Sequence, residues 1–423
     1  MFDLHRVDWA VVLVFVLVYL GMILGGVPRL KLNRSGVALL GAIAMIGLGA
    51  VSTEQAARAV DLPTVLLLFS FMVVSAQMRL GGFYTAVTQQ VAALSLGPNA
   101  LLGAIIFVAG TLSAVFSNDI ICLAMTPVVA RLCLRRQINS VPFLIALACA
   151  ANIGSAATLI GNPQNMLIGS VMHLPFGGYM RQALWPVVLS LVVLWAWLVW
   201  GPGARTAHYR PEQPGGELQT PHQAAEIDDD WLATLPFDSW QTLKGLTVAT
   251  VLMLIFLFTD LPREVAALVG AGVLLLSRRF HSSHVLGFVD WELLVLFMGL
   301  FVVNHAFAAT GLAAQAVAAL ATLGMHLSES VSLLVTGVVL SNLVSNVPAV
   351  MLLLPHLHGV DAGVTLALVS TLAGNLLLVG SIANLIVVDL AAKSGVVIDW
   401  RMHARIGLPV TLLTLGVVWL GLG

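Results

Sequence analysis

Residues 101–127 read LLGAIIFVAGTLSAVFSNDIICLAMTP: an apolar arm breaks at Ser117-Asn118-Asp119, then resumes and meets Pro127 ten residues past the serine. Residues 331–355, VSLLVTGVVLSNLVSNVPAVMLLLP, repeat this plan, with Ser345-Asn346-Val347 followed by Pro355 at the same interval. A second polar pair follows each arm, Gly161-Asn162-Pro163-Gln164-Asn165 and Gly380-Ser381-Ile382-Ala383-Asn384, both Gly-x-x-x-Asn. The offsets are 345 − 117 = 228 and 380 − 161 = 219, so the two pairs keep one order. Ser, Asn and Gly at membrane depth are costly unless they bind something or satisfy broken backbone. Matched polar breaks in two halves of a chain point to the binding site of a secondary transporter.

Composition sets the class. The 423 residues are 59% hydrophobic and 9% charged, a balance found in polytopic membrane proteins. Apolar runs at Trp9–Val27, Gly36–Val51, Val65–Met78, Leu184–Trp200, Leu246–Phe258, Leu293–Val303 and Ile406–Leu422 supply span candidates. With net charge −1 and no basic patch carrying interleaved aromatics, nucleic acid is not an expected partner. Asp3 and Asp8 precede the first apolar run with no small-residue cleavage site, so that run reads as a first span. Cys122, Cys133 and Cys149 lack paired spacing and predict neither zinc nor a disulfide framework.

Charge asymmetry predicts the orientation. With Arg29, Lys31 and Arg34 in the cytoplasm, Arg79, Arg131, Arg135, Arg136, Arg205, Arg210, Lys244, Arg278, Arg279, Lys393, Arg401 and Arg405 also fall inside. Arg6, Arg58, Arg181 and Arg263 remain outside, a split of 15 against 4 that the positive-inside rule favours. Both termini then lie outside, with ten full crossings.

The halves correspond beyond the polar motifs. Val60-Asp61 precedes Leu66–Phe69 and Val289-Asp290 precedes Leu293–Phe297, at an offset of 290 − 61 = 229. A Gly-containing break follows each run, at Leu80-Gly81-Gly82 and Thr310-Gly311. Five crossings per half is an odd number, so the second copy is expected upside down. The fold expected is all-α and polytopic: an inverted repeat of two five-crossing halves, each with a re-entrant hairpin and a broken helix. Residues 1–202 form the first repeat, 203–241 a cytoplasmic linker rich in Pro, Gly and acidic residues, and 242–423 the second repeat.

At the first break, Pro163 removes a donor and disfavours helix at Asn162, interrupting a helix expected from about Pro142 to Met172. Gly380-Ser381 makes a weaker break. Interrupted helices leave free amides and carbonyls that aim partial charge at a bound ion or solute. Single Ser or Asn residues in membrane helices serve packing as often as function; four breaks in register argue otherwise. Asp119 is the one acid at a motif tip, read either as a proton or cation site or as an interfacial loop acid. Asp389 lies four residues before Lys393, consistent with a local ion pair. His281 with His284, and His356 with His358, sit at loops or span ends without further ligand spacing, so no metal or cofactor is expected. Cys122 lies near the Asp119 tip, but without geometry from the other cysteines it reads as a small buried residue, not a thiolate site. Neither a His-Glu-x-x-His helix nor paired catalytic acids occur, which argues against an intramembrane enzyme.

These motifs resemble the ion transporter superfamily that includes divalent anion:sodium symporters and arsenite-efflux permeases. The resemblance covers nearly the whole chain. It places Ser117-Asn118 and Ser345-Asn346 on hairpin tips, and Gly161–Asn165 and Gly380–Asn384 on broken-helix loops. The candidate site is therefore Ser117, Asn118, Asp119, Gly161, Asn162, Asn165, Ser345, Asn346, Gly380, Ser381 and Asn384. The sodium-coupled branch carries Ser-Asn-Thr at both tips; here Asp119 and Val347 stand at the third position. Asn118-Asp119 with Thr126-Pro127, and Asn346 with Pro348, look more like the arsenite-efflux branch, whereas the Gly161–Asn165 loop is closer to the anion permeases.

The resemblance implies a secondary-active carrier in the cell inner membrane. The first reading is efflux of arsenite or antimonite, neutral hydroxides at pH 7, in exchange for protons taken at Asp119. The alternative is a sodium- or proton-coupled carrier of a small inorganic or carboxylate anion held at half-helix N-termini. A passive channel fits paired hairpins less well. Expected partners are the solute, protons or sodium, the lipid bilayer, and a second copy or an ATPase subunit.

Overall fold

The computed structural model describes residues 6–27, 32–201, 237–322 and 324–422, and these are helical almost throughout. The first ten helices are α1 (Arg6–Leu24), α2 (Arg34–Gly47), α3 (Thr53–Ala59), α4 (Leu62–Leu80), α5 (Phe83–Ala93), α6 (Pro98–Val115), α7 (Asn118–Arg135), α8 (Ser140–Ser155), α9 (Pro163–Val171) and α10 (Phe176–Trp200). Ten more follow: α11 (Ser239–Phe258), α12 (Arg263–Leu275), α13 (Ser282–Leu286), α14 (Trp291–Ala309), α15 (Leu312–Thr322), α16 (Ser330–Val344), α17 (Asn346–Leu353), α18 (Val360–Ala373), α19 (Ile382–Lys393) and α20 (Trp400–Leu422). A two-residue antiparallel ladder pairs Gly26–Val27 with Leu32–Asn33 between α1 and α2.

The helices begin and end where local chemistry dictates. Asp61 caps α4 by accepting from Thr64 N, and Asp290 caps α14 by accepting from Leu293 N, both at 2.9 Å. Gly82 and Gly311 sit at φ +70° and +74° after these helices, the left-handed turn that glycine adopts without a Cβ clash. Cap and turn recur at 290 − 61 = 229 and 311 − 82 = 229. The ten helices of one half thus match the ten of the other in order. Contacts between halves are also reciprocal: α2 packs on α14 as α12 packs on α4, and α10 packs on α20.

Among the described residues, six helices are long and apolar enough to cross a membrane: Leu62–Leu80, Pro98–Val115, Phe176–Trp200, Ser239–Phe258, Trp291–Ala309 and Trp400–Gly421. Six shorter apolar helices accompany them, among them Ser140–Ser155 and Val360–Ala373, which stop at the breaks. Leu13, Phe107, Val188, Leu254 and Leu412 are exposed, so large apolar side chains face outward as they do toward lipid. The protein is membrane-embedded. Most of the expected linker, residues 203–236, lies outside the described residues, as do Arg29 and Lys31 and, within the linker, Arg205 and Arg210. Ser239–Gln241, assigned to that linker from sequence, already form the first turn of α11, where Asp238 accepts from Trp240 N and Gln241 N.

Candidate substrate site

Each hairpin tip is a bend of one or two residues between two helices that touch each other. α6 ends at Val115, Phe116 and Ser117 are extended, and α7 starts at Asn118. In the second hairpin Ser345 alone separates α16 from α17, with φ +77°. The breaks are longer. α8 stops at Ser155, and α9 starts at Pro163 behind Asn162, which is extended and accepts from Asn165 N at 2.9 Å. α18 stops at Ala373, a short 3-10 turn spans Leu378–Gly380, and α19 starts at Ile382. The first interruption therefore begins earlier than its Gly-Asn-Pro signature, and Pro163–Asn165 already belong to the outgoing helix.

A buried chain of amides joins the pieces. Asn118 Nδ2 donates to Asn152 Oδ1 at 2.9 Å, and Ser381 Oγ donates to the same oxygen at 3.0 Å. Asn152 Nδ2 donates to Asn375 Oδ1 at 2.8 Å and to Asn384 Oδ1 at 3.2 Å. One side chain in α8 thus links the first hairpin tip to the break of the other half. Thr371 in α18 stands in the reciprocal place: its Oγ1 accepts from Asn162 Nδ2 and Gln164 Nε2 at 3.2 Å each and donates to Asn165 Oδ1 at 3.4 Å. The relation is one of register, since 371 − 152, 381 − 162 and 384 − 165 all equal 219.

The tips themselves touch the breaks. Asn118 N donates to Gly161 O at 3.3 Å. Asn346, with its amide nitrogen turned toward these acceptors, donates to Gly380 O at 3.3 Å and Ser370 O at 3.1 Å. Gly161 is required by close approach, because a β-carbon there would collide with Ser155 O and lie 2.8 Å from Ser113 O. Asn165 is held by Thr158 O and by the Tyr179 hydroxyl, both at 3.0 Å, and Asn384 by Gly374 O at 2.8 Å.

All eleven residues expected from sequence therefore lie at the tips and breaks, but not all in one role. Asn118, Asn162, Asn165, Asn346, Ser381 and Asn384 are buried and bonded within the network. Ser117 and Ser345 are half-buried, and neither caps the helix that follows. Asp119 is half-buried in the first turn of α7 and makes no hydrogen bond or ion pair among the described residues. Asp389 pairs with Lys393 at 3.3 Å on the surface.

Sequence reading missed Asn152, Thr371 and Asn375, which look like isolated polar residues in apolar helices. The 219 register that pairs Asn152 with Thr371 was the available signal; Asn375 matches Ala156 at that offset and had none. His403 was missed too; its Nε2 lies 3.0 Å from Asn375 O. Asn118 Oδ1 and Asn375 Nδ2 are buried with no partner among the described residues. The two leave one acceptor and one donor beside Asn152.

Paired helix reversals and paired helix breaks meeting on a buried polar seam are the arrangement in which membrane transporters build their binding sites. Residues 19–372 match the family model described as citrate transporter, CitMHS, and the chain belongs to that family. It is 30% identical over 449 residues to the silicon efflux transporter LSI3 of Oryza sativa subsp. japonica, covering 92% of each chain. It is 23% identical to the putative transporter arsB of Dictyostelium discoideum, over 92% of this chain and 86% of that one. The inner membrane protein YbiR of Escherichia coli is 30% identical over 352 residues, covering 82% and 83%. The fold is like that of the Alcanivorax borkumensis YdaH transporter, with TM-score 0.58 at 15% identity over 99% and 98% of the two chains.

Proposed function

We propose that this chain is a secondary-active exporter of arsenite or antimonite, coupled to proton antiport. The observation that carries the reading is the Asn118–Asn152–Ser381 junction, with Asn375 and Asn384 beside it: every side chain in it is a neutral amide or hydroxyl. An uncharged trihydroxide exchanges hydrogen bonds with such groups at no cost in unpaired charge, whereas a multiply charged anion calls for a cation at the site. Two relatives named for silicon efflux and as arsB support a hydroxide cargo, since silicon in neutral water is also an uncharged hydroxide.

Asp119 supplies the proton site in this reading, because it stands at the first tip with no hydrogen-bond or ion-pair partner among the described residues. The topology proposed with it is an inverted repeat, residues 1–202 and 242–423 about a cytoplasmic linker at 203–241, in the inner membrane with both termini outside. The one-to-one order of helices, the reciprocal packing and the 15-to-4 charge split support it.

The second reading, a sodium- or proton-coupled carrier of a small inorganic or carboxylate anion, is favoured by two observations. The matching family model is described as citrate transporter, and the α9 and α19 N-termini open on the polar seam, where helix ends attract negative charge. Expression in an arsenite-sensitive host separates the readings: tolerance to arsenite and antimonite should rise, and a pH gradient should drive uptake into inverted vesicles. Normal membrane expression without tolerance, together with gradient-driven citrate or phosphate uptake, would select the anion carrier.

A further inference from the structure

At the far end of α9, two side chains grip the backbone and hydroxyl of neighbouring residues. Ser170 Oγ donates to Asp61 Oδ1 at 2.9 Å, and Arg263 Nη2 donates to Gly169 O at 2.8 Å. Asp61 is the cap of α4 and Arg263 the first residue of α12, and those two helices pack on each other. The pair thus works as a latch that ties the outgoing half of a broken helix to a separate helix pair.

The other half carries the same parts. Arg34 opens α2 as Arg263 opens α12 (263 − 34 = 229), and Asp290 caps α14 as Asp61 caps α4 (290 − 61 = 229). The position matching Ser170 is Asp389 in α19, at 389 − 170 = 219. Yet here the grip is not made. Asp389 turns to Lys393 at 3.3 Å, with both side chains exposed. Among the described residues the Asp290 carboxylate bonds only the Leu293 amide, and the Arg34 side chain makes no hydrogen bond or ion pair.

We infer that these are two alternating latches, one closed and one open in this conformation. Closure of Arg34 and Asp290 on the Asp389–Lys393 end of α19 accompanies release of Asp61 and Arg263 from α9. The second latch is ionic where the first is hydroxyl-based: Asp389 exchanges Lys393 for Arg34, and Lys393 is freed for Asp290. The inference rests on the inverted-repeat relation and not on the identity of the solute. It names what fixes each end state, a role separate from the binding of substrate at the tips.

The test needs no substrate. In the full chain lacking Cys122, Cys133 and Cys149, one cysteine pair replaces Asp61 and Ser170 and a second replaces Asp290 and Asp389. Membranes are oxidised with copper phenanthroline, and intact mass counts the disulfides per molecule. Each pair alone should cross-link. With all four cysteines present, each molecule should hold one disulfide or the other. Ser170→Ala, added to the 290/389 pair, should raise its cross-linking about five-fold, the shift expected from loss of one neutral hydrogen bond. A 290/389 pair that never forms, or both disulfides in one molecule, or no response to Ser170→Ala, would overturn alternation. Membrane-impermeant maleimide on single cysteines at 61 and 290 checks the repeat separately. Labelling from opposite faces keeps it, and labelling from one face overturns it together with the latches.

Discussion

The two hairpin tips carry one Ser-Asn motif in two conformations. At the first, Ser117 has φ −56° and ψ +133°, ordinary extended backbone, and the turn shares its bend with Phe116. At the second, Ser345 alone makes the reversal and sits at φ +77°, a region a non-glycine residue enters at a cost of roughly 1–3 kcal/mol. The asparagines diverge as well. Asn118 spends its amide on another side chain, Asn152, and keeps a free oxygen, whereas Asn346 reaches backbone carbonyls of its own half. Similar sequence at matching positions thus gives one tip bonded to a side chain, Asn152, that itself bonds the break of the other half, and one tip bonded to backbone of its own half.

The contrast can be broken hardest at the helices behind the tips. α6 meets α8 through Gly110 and Gly154, where a β-carbon on Gly154 would fall inside the Gly110 carbonyl oxygen. The approach of α16 to α18 is looser: the 228 and 219 offsets put Val338 and Ala373 where Gly110 and Gly154 stand, and a β-carbon on the neighbouring Gly337 would meet the Val369 side chain at 3.0 Å. Gly154→Ala should therefore cost upward of about 3 kcal/mol, lower the yield of folded protein and lower Tm in detergent. Gly337→Ala should cost about 1 kcal/mol or less, because a side chain can yield where backbone cannot. Equal losses in thermal unfolding would show that the halves are packed alike.

A smaller effect separates the two central side chains. Asn152→Ala strips partners from Asn118, Ser381, Asn375 and Asn384 at once and should destabilise by about 1–3 kcal/mol. Thr371→Ser retains the hydroxyl and should cost less than about 1 kcal/mol. Denaturation of both variants in one detergent reads the difference. The smallest change concerns the tips: Ser345→Gly should stabilise by up to about 1 kcal/mol by relieving φ +77°, while Ser117→Gly should destabilise slightly by loosening an unstrained turn. Opposite signs in Tm would sharpen the contrast, and equal signs would remove it. On coupling, Asp119→Asn should leave solute binding measurable while abolishing the response of net transport to a proton gradient, with Asp119→Glu retaining part of it. Gradient-driven transport by Asp119→Asn would move the proton site to Asp389.

Much of this was legible before any coordinates, because two physical signals survive in sequence. Polar breaks stand out against apolar arms, and a repeat offset cannot arise by composition alone, so the reversals at Ser117 and Ser345 and the interruptions before Pro163 and Ile382 could be read from the motifs, while Asn165 and Asn384 fall in the helices that follow the breaks. Asn152 and Thr371 escaped because one polar residue inside a buried helix carries no local signature; only its partners, over 200 positions away, give it meaning. The strained φ of Ser345 was invisible for a related reason. Serine is not a residue that announces a left-handed turn, so the close packing of α16 against α17 alone reveals it.

The central claim is that the two tips form one transport site shared by both halves. Uptake of radiolabelled arsenite into proteoliposomes, measured for the wild-type chain, Asn118→Ala and Asn346→Ala at matched reconstitution and Tm, tests it most directly. Each variant should lose transport, because each removes a polar group at the seam while leaving the apolar packing in place. Wild-type rates from either one would make that asparagine a structural residue and contradict a site built from both tips.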